Sequence, residues 1–371
     1  MEKTEFKEKR IEELDIFKGI GMLIVIAFHF LDYALDPSSD FTIYLNAALV
    51  MSLFFLVSGY TWKPGKSPWQ MIKKRVPMLL IAFFLCTVVI TLLFYGVLAA
   101  KGLTEEESLG TSIGWLLAGK GLVEMIRPGV YEETLLMLPA EILWFLRQMA
   151  VASVIYYLLV NIAMKNTACF LLITGALFGV SALLSGFCPQ LPWDFQASPA
   201  LAGCMMLGAW CGQKRLIQRL REKLFHPVVI ASAVILLALT VLISIWFPSG
   251  EGLGRGYFSS VIRHGPDVLA GLASILLGAL PAAWIVTLIG RTRWFKKPFL
   301  WMGEHSLGIF LIHMFIGLTI MVLAGMSQVI FYEETVPCQS VRALGVFLTT
   351  LVLSSATAPL IEKLLGRNRK K

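Results

Sequence analysis

Charge is scarce in this sequence. Asp, Glu, Lys and Arg make up 15% of its 371 residues, against 57% hydrophobic residues. A soluble domain carries about 25% charged residues, so an ordinary soluble domain is excluded, and so is a disordered chain. Cysteine is sparse as well. Cys86, Cys169, Cys188, Cys204, Cys211 and Cys338 lie mostly inside apolar runs. No pair has CxxC or zinc-finger spacing, so neither a disulfide framework nor a metal site is indicated. The marks of a removed signal peptide are missing, because the first apolar run ends at charged and turn-forming residues without a small-residue cleavage site. No low-complexity tract, convincing internal repeat or separate soluble domain is legible.

Long apolar runs fill the chain instead. Mean hydropathy is +0.74, and many runs reach about 18 residues, enough to cross a bilayer. The expected fold is all-α, a polytopic membrane protein of about ten transmembrane helices. The spans are read at 14–34, 42–61, 77–100, 140–164, 168–187, 198–212, 227–247, 267–289, 303–326 and 342–361. The ninth could instead start at Ser306, acting as a helix cap. Residues 1–371 read as one integral-membrane domain with short tails at 1–13 and 362–371.

The net charge of +8 is unevenly distributed. With the N-terminus placed in the cytoplasm, 25 of the 32 Lys and Arg fall in cytoplasmic segments and 6 in outer ones, with Arg147 inside a span. The positive-inside rule then puts both termini in the cytoplasm. The basic balance therefore reflects topology, and nucleic acid is not an expected partner. The longest outer segment, 101–139, is acidic through Glu105, Glu106, Glu107, Glu124, Glu132 and Glu133. Its amphipathic stretch Ile113–Ile126 reads as an interfacial helix. The glycine-rich Gly250–Gly256 follows no strand and reads as a flexible outer loop rather than a phosphate cradle.

Ionisable residues within spans are costly, which makes them the default functional candidates. Lys18 and His29 are eleven residues apart, which leaves them about 20° apart around a helix and so on one face. His29 would lie ~22 Å along the helix from Leu14, in the outer half of a ~30 Å core. Asp32, three residues on, could orient its imidazole. Glu141 and Arg147 open a span that runs inward, with Arg147 roughly 10 Å deep. They read equally as a structural pair or as working groups. In Gly303–His313, an outward-running span, His313 would reach roughly 10–20 Å in and could share a layer with His29 and Arg147. His305 reads as a solvated interfacial residue. The cluster Lys73, Lys74 and Arg75 reads either as a topology signal facing anionic lipid or as a phosphate site.

Several segments then match one family in order. Leu14-Asp-Ile-Phe-Lys18-Gly19 through His29 resembles the first span of the membrane acyltransferase 3 family, which carries a basic residue, ten intervening residues and a histidine. Leu53 through Tyr60 resembles its Phe-Phe and Ser-Gly-Tyr segment, Trp144-Phe145-Leu146 its Trp-Phe-Leu block, and Gly303 through His313 its Gly-x-x-Ser-Leu-x-Ile-Tyr-Leu-x-His segment. The opening is most similar to the fucose 4-O-acetylase-like branch. Two departures stand out. Met78 occupies the second arginine position of an Arg-x-x-Arg pattern that starts at Arg75, and Val50-Met51-Ser52 replaces a His-Met-Pro triplet.

The resemblance implies transfer of an acyl group, usually acetyl, from acetyl-CoA or another acyl-CoA to a hydroxyl of a sugar, glycan or glycolipid. The donor's phosphates would meet Lys73, Lys74 and Arg75, with Lys18 assisting at the inner rim. His29 would act as general base or transient acyl carrier, with His313 as a second candidate. Arg147 would stabilise the oxyanion or orient the acceptor, and Glu141 and Trp144 would line the acceptor site. No metal is implied. A bacterial cytoplasmic membrane fits, with membrane lipid as the surrounding partner, and the oligomeric state, a homodimer included, is not fixed by the sequence. The rival reading is a secondary transporter of a small polar solute, against which the lack of an inverted repeat counts.

Overall fold

The computed structural model describes residues 10–35, 52–102, 113, 114, 117, 140–188, 191–246, 265–324 and 336–366. Among these the chain is helical throughout, with no strand. The helices are α1 (Glu12–Leu35), α2 (Ser52–Tyr60), α3 (Pro68–Ala100), α4 (Trp144–Ala163), α5 (Thr167–Phe187), α6 (Ser198–Gln213), α7 (Leu216–Glu222), α8 (Pro227–Trp246), α9 (Gly265–Arg291), α10 (Arg293–Glu304), α11 (Ser306–Leu323) and α12 (Val336–Leu364). Short 3-10 turns at Glu141–Leu143 and Pro192–Ala197 lead into α4 and α6.

Six of these helices, α1, α3, α4, α5, α11 and α12, contain stretches long and apolar enough to cross a membrane, and α9 and α10 do so only as a pair bent by 117°, a broken span or a re-entrant turn. The chain is therefore an all-α, multi-pass membrane protein. Leu172, Leu183, Val341 and Val352 stay exposed on the outside of the bundle, where in a bilayer acyl chains replace water.

Local chemistry sets the helix starts. Pro68 takes the first helical position of α3, where its missing N–H is no loss, after an extended Ser67. Asn166 caps α5 by accepting a 2.8 Å hydrogen bond from the Cys169 amide. α3 starts nine residues before the expected span, because the polar Trp69–Arg75 turn is helical rather than loop. The ninth span takes the later of its two expected starts. Ser306 is the first helical residue of α11, and His305 rather than Ser306 occupies the cap position, with no side-chain cap bond. Of the expected second span, only α2 lies within the described residues. The outer segment 101–139, apart from five residues, and the loop at 250–256 lie outside them.

Glycines set the closest crossings. A Cβ on Gly59, Gly208 or Gly212 would collide with the backbone carbonyls of Met205, Leu56 and Tyr60, so α2 and α6 touch main chain to main chain. Gly19 against the Phe299 carbonyl and Gly303 against the Asp15 carbonyl do the same for α1 and α10. Small residues at such crossings are how helices pack where the hydrophobic effect supplies no drive.

The basic loops gather at one end of the bundle. Tyr60 Oη donates to Gln218 Oε1 at 3.1 Å, and Asn161 Nδ2 donates to the Lys66 carbonyl at 3.2 Å. Arg221 pairs with Glu13, Lys296 with Glu12, and His305 with Glu362. This is the basic edge.

Candidate active site

α1 brings the candidate groups together by packing against α9, α10, α11 and α12. At the basic edge its acidic first turn is held on every side. Glu12 Oε2 lies 2.6 Å from Lys296 Nζ, and Glu13 accepts two bonds from Arg221 Nη2, at 2.6 and 2.7 Å. Asp15, 3% exposed, accepts from Lys18 Nζ at 2.6 Å and from Arg10 Nε at 2.5 Å. Arg10 also reaches Glu304 at 3.0 Å. Lys18 therefore stands at the basic edge and shares its charge with Asp15.

Eleven residues further along α1, ~16 Å at 1.5 Å per residue, His29 lies beside His313 of α11. The ring centroids are 5.6 Å apart. The sequence allowed His313 to share a layer with His29 and Arg147, and the two imidazoles are neighbours. His313 is completely buried. Its Nδ1 lies 2.9 Å from the Phe310 carbonyl and 3.2 Å from the Ile309 carbonyl. Carbonyl oxygens only accept, so Nδ1 carries the hydrogen and Nε2 holds the lone pair. That Nε2 is buried with no hydrogen-bond partner. Phe145, Phe310 and Phe28 crowd the neighbourhood, with Phe310 5.9 Å from the His313 ring and Phe28 5.4 Å from that of His29. A lone pair in such a place can take a proton from a hydroxyl that enters it. The side chain of Asp32 lies outside the described residues.

The remaining candidates lie on α3, on α4 and in the turn that precedes it. Arg147, 6% exposed, and Gln148, 1% exposed, are buried in the first turn of α4. Trp144 begins that helix, its ring 6.2 Å from that of Phe145. Glu141 lies in the preceding 3-10 turn, and its side chain is outside the described residues. Lys73 and Lys74 are exposed at the basic edge, with Lys73 Nζ 5.2 Å from the Trp69 ring. Arg75 turns inward. It bonds the Ser58 hydroxyl, reaches the Tyr157 hydroxyl at 3.4 Å and contacts Met149 sulfur at 3.9 Å. Arg75 thus braces α2, α3 and α4 against one another.

Sequence reasoning missed Tyr157 as an arginine partner, and no local signal marks it. It also missed the pairing of His305 with Glu362, 3.2 Å apart, where the carboxylate is 2% exposed. A solvated His305 is not what the packing gives: its ring is 4.6 Å from that of Trp301. Among the described residues no three His, Cys, Asp or Glu side chains group as metal ligands.

No curated protein and no solved structure matches the chain. A family model described as an acyltransferase domain does, over residues 11–359, a stretch that contains both histidines, the arginine brace and the ionic first turn of α1. The protein belongs to the membrane acyltransferase 3 family and is an acyltransferase.

Proposed function

We propose that the protein is an O-acyltransferase of the cell membrane, most simply a bacterial cytoplasmic membrane. It moves an acyl group, acetyl first among the choices, from a cytoplasmic acyl-coenzyme A to a hydroxyl of a cell-envelope glycan or glycolipid. The observation that carries this reading is the buried imidazole pair, with the His313 Nε2 unpartnered among the described residues.

In this reading the pair takes the proton of the acceptor hydroxyl. The freed oxygen attacks the thioester carbonyl, the carbon–sulfur bond breaks, and the proton passes from imidazolium to the leaving thiolate. His29 serves as the base or, alternatively, carries the acyl group between two such attacks. His313 stands beside it as the second nitrogen base. Arg147 faces the developing oxyanion or the acceptor, with Glu141 and Trp144 on the acceptor side.

The donor enters at the basic edge, which the positive-inside count makes cytoplasmic. Lys73 and Lys74 are placed to meet its phosphates. Beside them an open cavity of about 590 Å³ is lined by Trp62, Lys66, Asn161, Lys165 and Gln213 among others. The ~16 Å from Lys18 to His29 along α1 is of the order of an extended pantetheine arm, so a donor with its phosphates at the edge can present its thioester to the histidines.

Calorimetry with acetyl-coenzyme A on the detergent-purified protein tests the reading. Saturable binding is expected, about tenfold weaker in Lys73→Ala/Lys74→Ala, since each exposed charge pair is worth up to about 1 kcal/mol and about 1.4 kcal/mol is tenfold. Arg75→Ala should lower Tm instead, because it removes the brace. No binding by a folded, monodisperse protein overturns the donor assignment. Full transfer by His29→Ala at normal expression removes both of its roles.

A further inference from the structure

α10 carries an outer face that the acyl-transfer reading leaves unused. Trp294, Lys297 and Trp301 fall at i, i+3 and i+7, within about 60° of one another around the helix. Trp294 is 89% exposed, and Phe295 next to it 63%. Arg293 and Lys297 are exposed too, and among the described residues neither has a hydrogen-bond or ion-pair partner. The opposite face is fixed. Phe299 and Gly303 pack on α1 main chain to main chain, Lys296 pairs with Glu12, and Glu304 pairs with Arg10.

The placement fits a bilayer surface. α9 and α10 are long and apolar enough to cross a membrane only when taken together, and α10 turns away from α9 by 117°. With α9 along the membrane normal, that bend lays α10 closer to the membrane plane than to the normal. The bend lies at the basic edge, where headgroups meet water. Indole rings are at home at that depth, and two unpartnered cations beside them complement anionic headgroups rather than neutral ones.

We propose that α10 is a docking surface for anionic phospholipid of the cytoplasmic leaflet, with Arg293 and Lys297 reading the headgroup charge and Trp294, Phe295 and Trp301 seated at the interface. Since α10 is locked to the first turn of α1, lipid held there also steadies the helix that carries Lys18 and His29.

The full chain is reconstituted in phosphatidylcholine vesicles containing an equal mole fraction of either dibrominated phosphatidylglycerol or dibrominated phosphatidylcholine. The difference in fluorescence between wild type and Trp294→Phe isolates the Trp294 signal. Bromine on either lipid should quench it, and the anionic lipid should be enriched around it about thirtyfold, from about 1 kcal/mol for each of two cations. Arg293→Glu/Lys297→Glu should abolish the preference. A parallel melt should show a higher Tm in phosphatidylglycerol than in phosphatidylcholine, with the gain absent from the double variant. Where that variant does not fold, Arg293→Gln/Lys297→Gln takes its place. A Trp294 signal untouched by either brominated lipid, or quenched equally by both in wild type, overturns the proposal and leaves the acyl-transfer reading standing.

Discussion

At the basic edge Glu12, Glu13 and Asp15 of α1 each meet a cation, whereas fourteen residues beyond Asp15 the same helix sets His29 beside a His313 whose Nε2 meets nothing. The first turn of α1 and the α11 histidine that its far end meets follow opposite rules. A charge that is paired on all sides fixes a position and has little left to offer a substrate. A buried nitrogen without a partner leaves the folded state short of a hydrogen bond, a deficit of roughly 1–3 kcal/mol that an incoming hydroxyl can make good. The saturated turn holds α1 still, and the unsatisfied nitrogen of α11 beside His29 is where chemistry can happen.

The sharpest way to break this contrast is at the histidines. His313→Ala should lower transfer by about 10²–10⁴-fold, the usual worth of a positioned base, and should also lower Tm because it empties a completely buried site. His313→Gln, closer in size, should lose the transfer with a smaller change in Tm. A variant with full activity would reduce the spare lone pair to packing. The next largest effect falls on the helix crossing. Gly303→Val should cost about 1–3 kcal/mol or more, because its side chain meets the Asp15 carbonyl. Gly175→Ala, with nothing within 4 Å of its new methyl, should instead gain up to about 1 kcal/mol. Equal melting behaviour of the two variants would mean that α1 and α10 are not in backbone contact. A smaller effect is expected from Asp15→Asn. Removing the buried charge leaves Lys18 and Arg10 without their shared partner. Both cations are part-exposed, at 30% and 54%, so water softens the loss to about 1–2 kcal/mol. A Tm above wild type would show that the saturated end is strained rather than settled.

The sequence and the structure agree where periodicity governs. The eleven-residue step from Lys18 to His29 and the outward course of Gly303–His313 were enough to put two histidines in one layer, because helical rise is the same in every helix. The bend at Thr292 was not legible. Arg293–Glu304 mixes tryptophan, phenylalanine and lysine, so it reads as a basic loop with interfacial aromatics, and nothing local says that it is a helix turned 117° away from α9. The inward course of Arg75 was hidden for a similar reason. Its partners Ser58 and Tyr157 lie on two other helices, and a Lys-Lys-Arg run looks the same whichever way its last member points. Met78, at the second arginine position of the family pattern, is 39% exposed, so in this fold that position faces outward rather than toward the brace.

The clamp on α1 also sets a schedule for biogenesis. α1 leaves the ribosome well before α7 and α10, and the partners of Glu13 and Glu12 are Arg221 and Lys296, more than two hundred residues later. At about 5–20 residues per second, roughly 15–60 s separate the synthesis of Glu12 from that of Lys296. For that interval the nascent helix carries acidic groups without their final counterions, and the insertion machinery or the lipid headgroups must hold it until α10 arrives.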